Sequence, residues 1–100
     1  MISYTGNTLD TFISPKKNLP FVLENFSIVN KTGGAVSINV YKVINDNSLY
    51  CIAPFSQSVS ANQSYQNIRP TVLLAYEQIK LEASGNVDYD FTLKNMTFDK

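Results

Sequence analysis

The most constraining feature of this chain is a strict alternation of apolar and polar residues in its last third. Residues 79–83 and 87–94 both alternate, and Ser84-Gly85-Asn86 stands between them. A two-residue period places successive side chains on opposite faces of a strand, which suits a strand with one buried and one wet face. Gly85 and Asn86 can adopt the positive φ of a tight turn. The sequence therefore predicts a β-hairpin with one face in the core.

A second pair of alternating segments lies upstream. Residues 26–30 and 35–43 flank Lys31-Thr32-Gly33-Gly34, where two glycines can take positive φ without steric cost. The apolar side chains of the second segment fall in phase and predict one buried face. The pattern predicts another hairpin.

The remaining segments also indicate short strands. We expect a turn over residues 45–48, a short buried strand over 49–53 ended by proline, and two edge strands within 56–65. Residues 71–76 fit either a strand or one helical turn. Turn signals recur roughly every 8–12 residues, which is typical of sandwiches and small barrels. The predicted fold is an all-β antiparallel β-sandwich, immunoglobulin-like or jelly-roll-like, of about seven or eight strands.

The first twenty residues differ from the rest. Prolines at positions 15 and 20 exclude a helix, so residues 1–20 are either an extended N-terminal arm or a first strand, and residues 21–100 form the sandwich domain. An arm with exposed apolar side chains would need a neighbouring surface, and a tyrosine out of phase with its strand's core face would point outward. The predicted subunit-interface residues are Leu9, Phe12, Ile13 and Tyr41.

Charge and length limit the function classes. The chain has 100 residues, enough for one domain, and its eight basic and eight acidic residues cancel. No basic stripe is present, so we expect no nucleic-acid partner, and no apolar run approaches the ~20 residues of a membrane span. A net charge of zero removes self-repulsion, which favours association with other subunits, a homo-oligomer included.

The sequence offers no catalytic constellation. Histidine is absent, and the lone Cys51 sits in an apolar stretch that predicts a small buried residue. Asp88 and Asp90 share one face of the predicted hairpin, and Glu82 would face them at the roughly 5 Å separation of a retaining glycosidase. The alternative is that these carboxylates form solvated strand faces, and we favour it. We predict no enzyme, no catalytic residue, no cofactor and no metal site.

Six tyrosines raise a second possibility for binding. They could form a platform on which sugars stack, or supply amphipathic rings to a protein interface. Tyr89 is in phase with core residues and is predicted to be buried. Because the chain has no tryptophan, we favour a protein interface.

Several of these segments resemble the small virion proteins of tailed bacteriophages. The similar segments are FSIVNKTGGAVSINVYKV, a short strand with IAP, SVSANQSYQN and VLLAYEQIKLEASGNVDYDFTLKN, which together cover about residues 21–95. The family shares an Asn-x-Thr-Gly-Gly type turn and a strand with V-x-V-Y-x-V. It more often has a Gly-Asp turn where this chain has Tyr76-Glu77-Gln78.

The resemblance implies a non-enzymatic structural protein of the virion, assembled in the cytoplasm of the bacterial host. The expected role is that of a capsid auxiliary or decoration protein, with the major capsid protein or other virion proteins as partners. The alternative is a carbohydrate- or receptor-binding module of a tail or adsorption apparatus.

Overall fold

The computed structural model describes residues 2–14, 20–44, 47–74 and 76–95, and these residues form an all-β antiparallel protein. Eight strands belong to one hydrogen-bonded sheet, and the described residues contain no helix. The strands are β1 (Ile2–Ile13), β2 (Phe21–Val29), β3 (Val36–Val43), β4 (Leu49–Cys51), β5 (Gln57–Val59), β6 (Ser64–Asn67), β7 (Thr71–Leu73) and β8 (Gln78–Asn95).

Strand β8 is the axis of the sheet. Its 18 residues pair with β1 over nearly their whole length, with β3 over the first half and with β2 over the second half. A strand has only two edges, so β1 occupies one edge of β8 while β3 and β2 share the other in succession. The segment 2–13, for which both an arm and a first strand were open, lies in the sheet as β1.

The predicted C-terminal hairpin is wrong. Residues 78–95 form a single strand, and Gly85 does not take a positive φ. Residues 83–86 instead form a bulge opposite the single residue Leu9, between the pairs Thr8–Val87 and Asp10–Glu82. A Cβ at Gly85 would lie 3.0 Å from Val36, so this glycine admits a neighbouring strand rather than reversing the chain.

The predicted hairpin at Gly33 and Gly34 is also wrong. Strands β2 and β3 both run antiparallel to β8 and do not pair with each other, so the chain continues in the same direction after the loop. Neither glycine takes a positive φ. The loop is held by Asn30, whose amide donates to the carbonyl oxygens of Gly34 and Val59 and whose side-chain oxygen accepts from Thr32.

Four short strands form the outer edge beyond β2 and β3. Strands β4 and β5 pair with β3, and strands β6 and β7 pair with β2. The expected edge strands within 56–65 are therefore confirmed, and residues 71–73 form a strand and not a helical turn. The predicted turn at 45–48 lies partly outside the described residues.

The expectation of a buried strand at 49–53 is wrong. All three residues of β4 are exposed, Cys51 included, because β4 lies at the edge of the sheet and covers no core. Ala53 alone of the described residues in this segment is fully buried.

The sheet curls into a half-barrel around one apolar core. The half that contains β3 and β4 approaches the half that contains β6 and β7: Lys42 Nζ donates to the Val72 carbonyl oxygen at 3.3 Å, and the Asn67 amide donates to the Ile52 carbonyl oxygen at 3.0 Å. The largest core side chains come from the middle strands, with Phe91 stacked on Phe26 at 5.0 Å between ring centroids. The architecture is thus all-β and antiparallel, in one curled sheet.

Candidate functional site

The outer backbone edge of β1 is the feature that the fold leaves most open. β8 takes one edge of β1, and no other described strand pairs with the second edge. We call this second edge, over Ile2–Ile13, the β1 edge. Its backbone N–H and C=O groups form a template on which another strand can pair.

An irregularity divides the β1 edge into two parts. Asp10 N donates to Thr8 Oγ1 at 3.1 Å, and Leu9 and Asp10 are exposed in succession, which shifts the alternation by one residue. Residues 2–8 pair with 87–93 of β8 without a break. This first part, which we call the uninterrupted run, contains no charged residue and no proline.

The other edge of the sheet is built differently. It consists of β4, β5, β6 and β7, each of three or four residues. Proline follows closely after β4 at Pro54 and directly precedes β7 at Pro70. Short strands and prolines are the usual devices that keep a sheet edge from pairing with other chains. The uninterrupted run has neither.

The structure separates the four predicted interface residues into two pairs. Leu9 and Phe12 are 48% and 56% exposed on β1. Ile13 is 3% exposed and belongs to the core, so it is not available as an anchor. Tyr41 lies beside Lys80 in the sheet register but is only 9% exposed. Of the four residues, the β1 edge presents Leu9 and Phe12.

The outer face beside Phe12 carries a row of polar contacts. Lys80 Nζ lies 5.7 Å from the centre of the Phe12 ring and 2.9 Å from the Glu82 carboxylate. The hydrogen bond to Glu82 raises the pKa of Lys80. Burial and the neighbouring Glu82 carboxylate raise the pKa of the Tyr41 hydroxyl. These contacts hold Tyr41 in place rather than presenting it to a partner.

The predicted carboxylate pair is not formed. Glu82 lies on the same strand as Asp88 and Asp90 and not opposite them, because the hairpin that would bring them together does not exist. Asp88 accepts from Lys31 at 2.8 Å and from Asn7 at 2.7 Å. These two hydrogen bonds, with Lys31 as the larger cause, lower the pKa of the Asp88 carboxyl. Asp88 thus ties the loop after β2 to the sheet.

The tyrosines do not gather around the aspartates. Tyr65 and Tyr89 pack partly against the core, whereas Tyr50 and Tyr76 are exposed at the other end of the molecule. Tyr50 is the register partner of Lys42, and Tyr76 directly precedes Glu77, which forms an ion pair with Lys42.

A groove of about 740 Å³ lies between the segment after β4 and the segment joining β6 to β7. It is lined by residues 51–54 and 65–71, and it includes Arg69, the only arginine of the chain. Arg69 N donates to the Asn67 side chain, which orders this loop. No residue of the groove combines with another into a nucleophile and base pair.

Within the described ranges, no group of three or more His, Cys, Asp or Glu residues could hold a metal ion. The same part of the chain has no helix long and apolar enough to cross a membrane.

Comparisons with known proteins leave the chain without a family assignment. No protein-family model matches its sequence, and no curated protein matches it. The observation that defines the candidate site is therefore the open β1 edge.

One feature of the sequence, besides alternation, distinguishes the β1 edge. Residues 2–8 form an unbroken run without proline, whereas Pro54 and Pro70 lie beside the short segments that form the opposite edge. That contrast between the two edges indicates which one can accept a further strand.

Proposed function

We propose that this chain is a non-enzymatic structural subunit that acts by docking through its β1 edge, as a capsid auxiliary or decoration protein of a tailed-phage particle. The observation that carries the proposal is the β1 edge: a strand of 12 residues with one open side and two exposed apolar side chains, Leu9 and Phe12. An unprotected edge of this length is an aggregation hazard in a protein that works alone. In an assembled particle a neighbour covers it.

One local feature supports the resemblance to small virion proteins. Tyr76 takes a φ of 69°, a left-handed conformation that costs a bulky residue about 1–2 kcal/mol. The similar phage proteins more often have glycine in the Gly-Asp turn at this point. The backbone here has the form that glycine adopts without cost.

The proposal includes a sandwich-like closure of the sheet. The hydrogen bonds from Lys42 to Val72 and from Asn67 to Ile52 join strands at the two ends of the curled sheet. Such contacts favour a jelly-roll-like sandwich in which the two halves of the long strands face each other across the core. A sandwich of this kind is a common architecture of capsid proteins.

The test is sedimentation of the purified chain with phage particles. A Leu9→Ser and Phe12→Ser double variant removes the apolar side chains of the β1 edge. Leu49→Ser is the matched control, because Leu49 is 46% exposed on β4 at the opposite edge. We expect the wild type and the control to sediment with particles and the double variant to lose at least tenfold in affinity. If the wild type never sediments with particles, or the double variant binds equally well, the proposal is wrong.

The exposed tyrosines favour a second candidate function, a carbohydrate- or receptor-binding module of an adsorption apparatus. Tyr50 and Tyr76 present two aromatic rings beside the Lys42 and Glu77 ion pair, and aromatic faces with nearby polar groups are suited to sugars. A glycan-array signal that disappears in a Tyr50→Ala, Tyr76→Ala variant would favour this function. An array without signal would leave the structural role.

A further inference from the structure

From the uninterrupted run of β1 we infer a partner: a second copy of this chain, paired antiparallel to the first over residues 2–8. The inference rests on the proposed function and names one occupant of the β1 edge. The two sheets would join into one, with the order β2, β8, β1, β1, β8, β2 across the seam.

The side chains of the run are compatible with their own reversed copy. With a two-fold axis at Thr5, Thr5 faces Thr5 of the partner, and Ser3 faces Asn7. Pairs of hydroxyl and amide side chains directly opposite each other stabilise antiparallel strands. All three side chains are exposed on the outer face of the sheet.

On the other face the same axis places Tyr4 opposite Gly6. Tyr4 packs against the core, and a Cβ at Gly6 would lie 2.7 Å from the Tyr89 hydroxyl, so no larger residue fits there without displacing Tyr89. Tyr89 of the same chain therefore already covers Gly6, and the partner's Tyr4 would lie opposite a position without a side chain of its own.

Charge does not oppose the pairing. The run is uncharged, and the chain has zero net charge. Two carboxylates of β8 lie beside the run: Asp88, which accepts from Asn7 and is paired with Lys31, and Asp90, the strand neighbour of Thr5. In the paired sheet the two Asp90 residues are three strand spacings apart, roughly 14 Å. This exceeds the Debye length of about 8 Å at physiological ionic strength, so their repulsion is largely screened.

The size of the seam predicts a reversible dimer. Seven residues extend over about 24 Å, and an edge-to-edge seam of that length is smaller than the ~800 Å² per partner of a standard stable interface. We therefore expect dissociation in the micromolar range or weaker when the chain is free, with the high local concentration of an assembly favouring the pair.

Analytical ultracentrifugation over a wide concentration range tests the pairing. We expect a monomer–dimer equilibrium in the wild type and at least tenfold weaker association in Thr5→Lys, which places two lysines face to face at the axis. Ser58→Lys is the control, since Ser58 is an exposed residue on β5 of the opposite edge. Circular dichroism checks that each variant is folded.

Disulfide trapping tests the register separately. In a Cys51→Ser background, Thr5→Cys should form a cross-linked dimer on oxidation, because opposed Cα atoms of antiparallel strands lie about 4.5–5.5 Å apart, within disulfide range. Ser3→Cys should not, since its copy would be roughly 13 Å away along the strands. Cross-linking of both variants, or of Ser3→Cys alone, would overturn the register.

The outcomes separate this inference from the proposed function. A chain that stays monomeric at all concentrations, or a dimer that Thr5→Lys leaves unchanged, overturns the pairing of two copies. If such a monomer still sediments with particles through Leu9 and Phe12, the structural role stands and another protein covers the edge.

Discussion

The two edges of this sheet are opposites. One is β1, a single strand of 12 residues, and the other is a succession of four strands of three or four residues each. The first edge borders β8 and the second borders β2 and β3, and both belong to one chain with zero net charge. The two edges differ in whether side chains of the same chain form hydrogen bonds with their backbone groups.

The broken edge satisfies its backbone internally. Asn30 donates from its amide to carbonyl oxygens at the end of β5, Asn67 donates to the segment after β4, and the Asn39 side chain accepts from Ser56 N. Along β1 the Thr8 and Thr11 side chains make local contacts with the backbone of Asp10 and Phe12. An edge whose backbone groups are bonded by side chains of the same chain needs no partner. An edge with seven residues of unpaired backbone can pair with another strand.

Asn30→Ala should lower the free energy of unfolding most, because it removes the side-chain hydrogen bonds that hold the edge formed by β4 to β7. Asn30 is fully buried, and its loss removes the amide donor of the Val59 and Ser60 carbonyl oxygens and the acceptor of the Thr32 N–H. The Gly34 carbonyl keeps its hydrogen bond from Thr32 Oγ1. At about 1–3 kcal/mol for each buried unsatisfied group, we expect the free energy of unfolding to fall by roughly 3 kcal/mol or more. Urea unfolding measures it.

The control for Asn30→Ala is Asn25→Ala, an exposed position on β2, the strand that Asn30 directly follows. It should change stability by less than about 0.5 kcal/mol. Equal losses in the two variants would mean that the short-stranded edge does not depend on Asn30.

Gly85→Val should cost about 1–3 kcal/mol, since the new side chain meets Val36 on the neighbouring strand. Gly33→Val is the matched control: nothing lies within 4 Å of its Cβ position, and its φ is not positive. We expect that control to be neutral within about 0.5 kcal/mol. If Gly85→Val proved no more damaging than Gly33→Val in thermal unfolding, the close approach of Val36 to Gly85 would be absent in solution and the account of β8 at Gly85 would be wrong.

Tyr76→Gly should stabilise the protein slightly. It removes the left-handed strain at Tyr76 but adds flexibility to the unfolded chain, so the net gain should be at most about 1 kcal/mol. Tyr50→Gly, which changes an equally exposed tyrosine within a strand, should destabilise instead. A loss of stability in Tyr76→Gly would show that its ring makes contacts that outweigh the strain.

The smallest expected effect is on the pKa of Asp88, which influences stability only at acidic pH. The pKa of Asp88 is held below its ordinary value of 3.8 by Lys31 and Asn7. The stabilisation that Lys31 and Asn7 provide by bonding the Asp88 carboxylate is therefore present above that value, and it is lost as the pH falls through the lowered pKa. Asn7→Ala removes one hydrogen bond and should raise the pKa of Asp88 towards 3.8, which NMR titration of the carboxyl carbon detects.

Asn86→Ala, another exposed asparagine on the outer side of β8, is the control for the titration and should leave the Asp88 pKa unchanged. An unchanged pKa in Asn7→Ala would mean that the link from β1 to Asp88 is absent in solution.

The sequence predicted the all-β class of the fold better than it predicted which strands pair with each other. Alternation found the strands around Ile38, Leu81 and Phe91, and all three side chains are fully buried. It also placed the polar edge strands within 56–65. Period-two patterns report which face of a strand is buried, and that information is local.

Pairing could not be predicted because it depends on distant residues. Gly33-Gly34 and Ser84-Gly85-Asn86 look like turns, yet the apolar residues on either side of Gly85 are in phase, all at odd positions from Ile79 to Leu93. A strand that passes through a bulge keeps this phase as readily as a hairpin does. The bulge can be explained only by the positions of Leu9 and Val36, which lie beside it in the folded sheet.

The candidate site was predicted in part. Leu9 and Phe12 lie exposed on β1, but Ile13 is buried because the irregularity at Leu9 and Asp10 shifts the alternation so that Ile13 faces the core. No composition rule reveals such a shift. Tyr41 is covered by contacts with Lys80 and Glu82 that come from β8, far away in the sequence.

Amide hydrogen exchange of residues 3–8, measured in dilute and in concentrated protein, tests the central claim most directly. In dilute solution we expect alternate amides of this run to exchange rapidly, since they point away from β8, while the amides of β8 stay protected. At high concentration those same amides should become protected, in the wild type and not in Thr5→Lys. Exchange that is equally slow in both solutions would contradict an open edge, and exchange that is equally fast in both would contradict its pairing with a second copy.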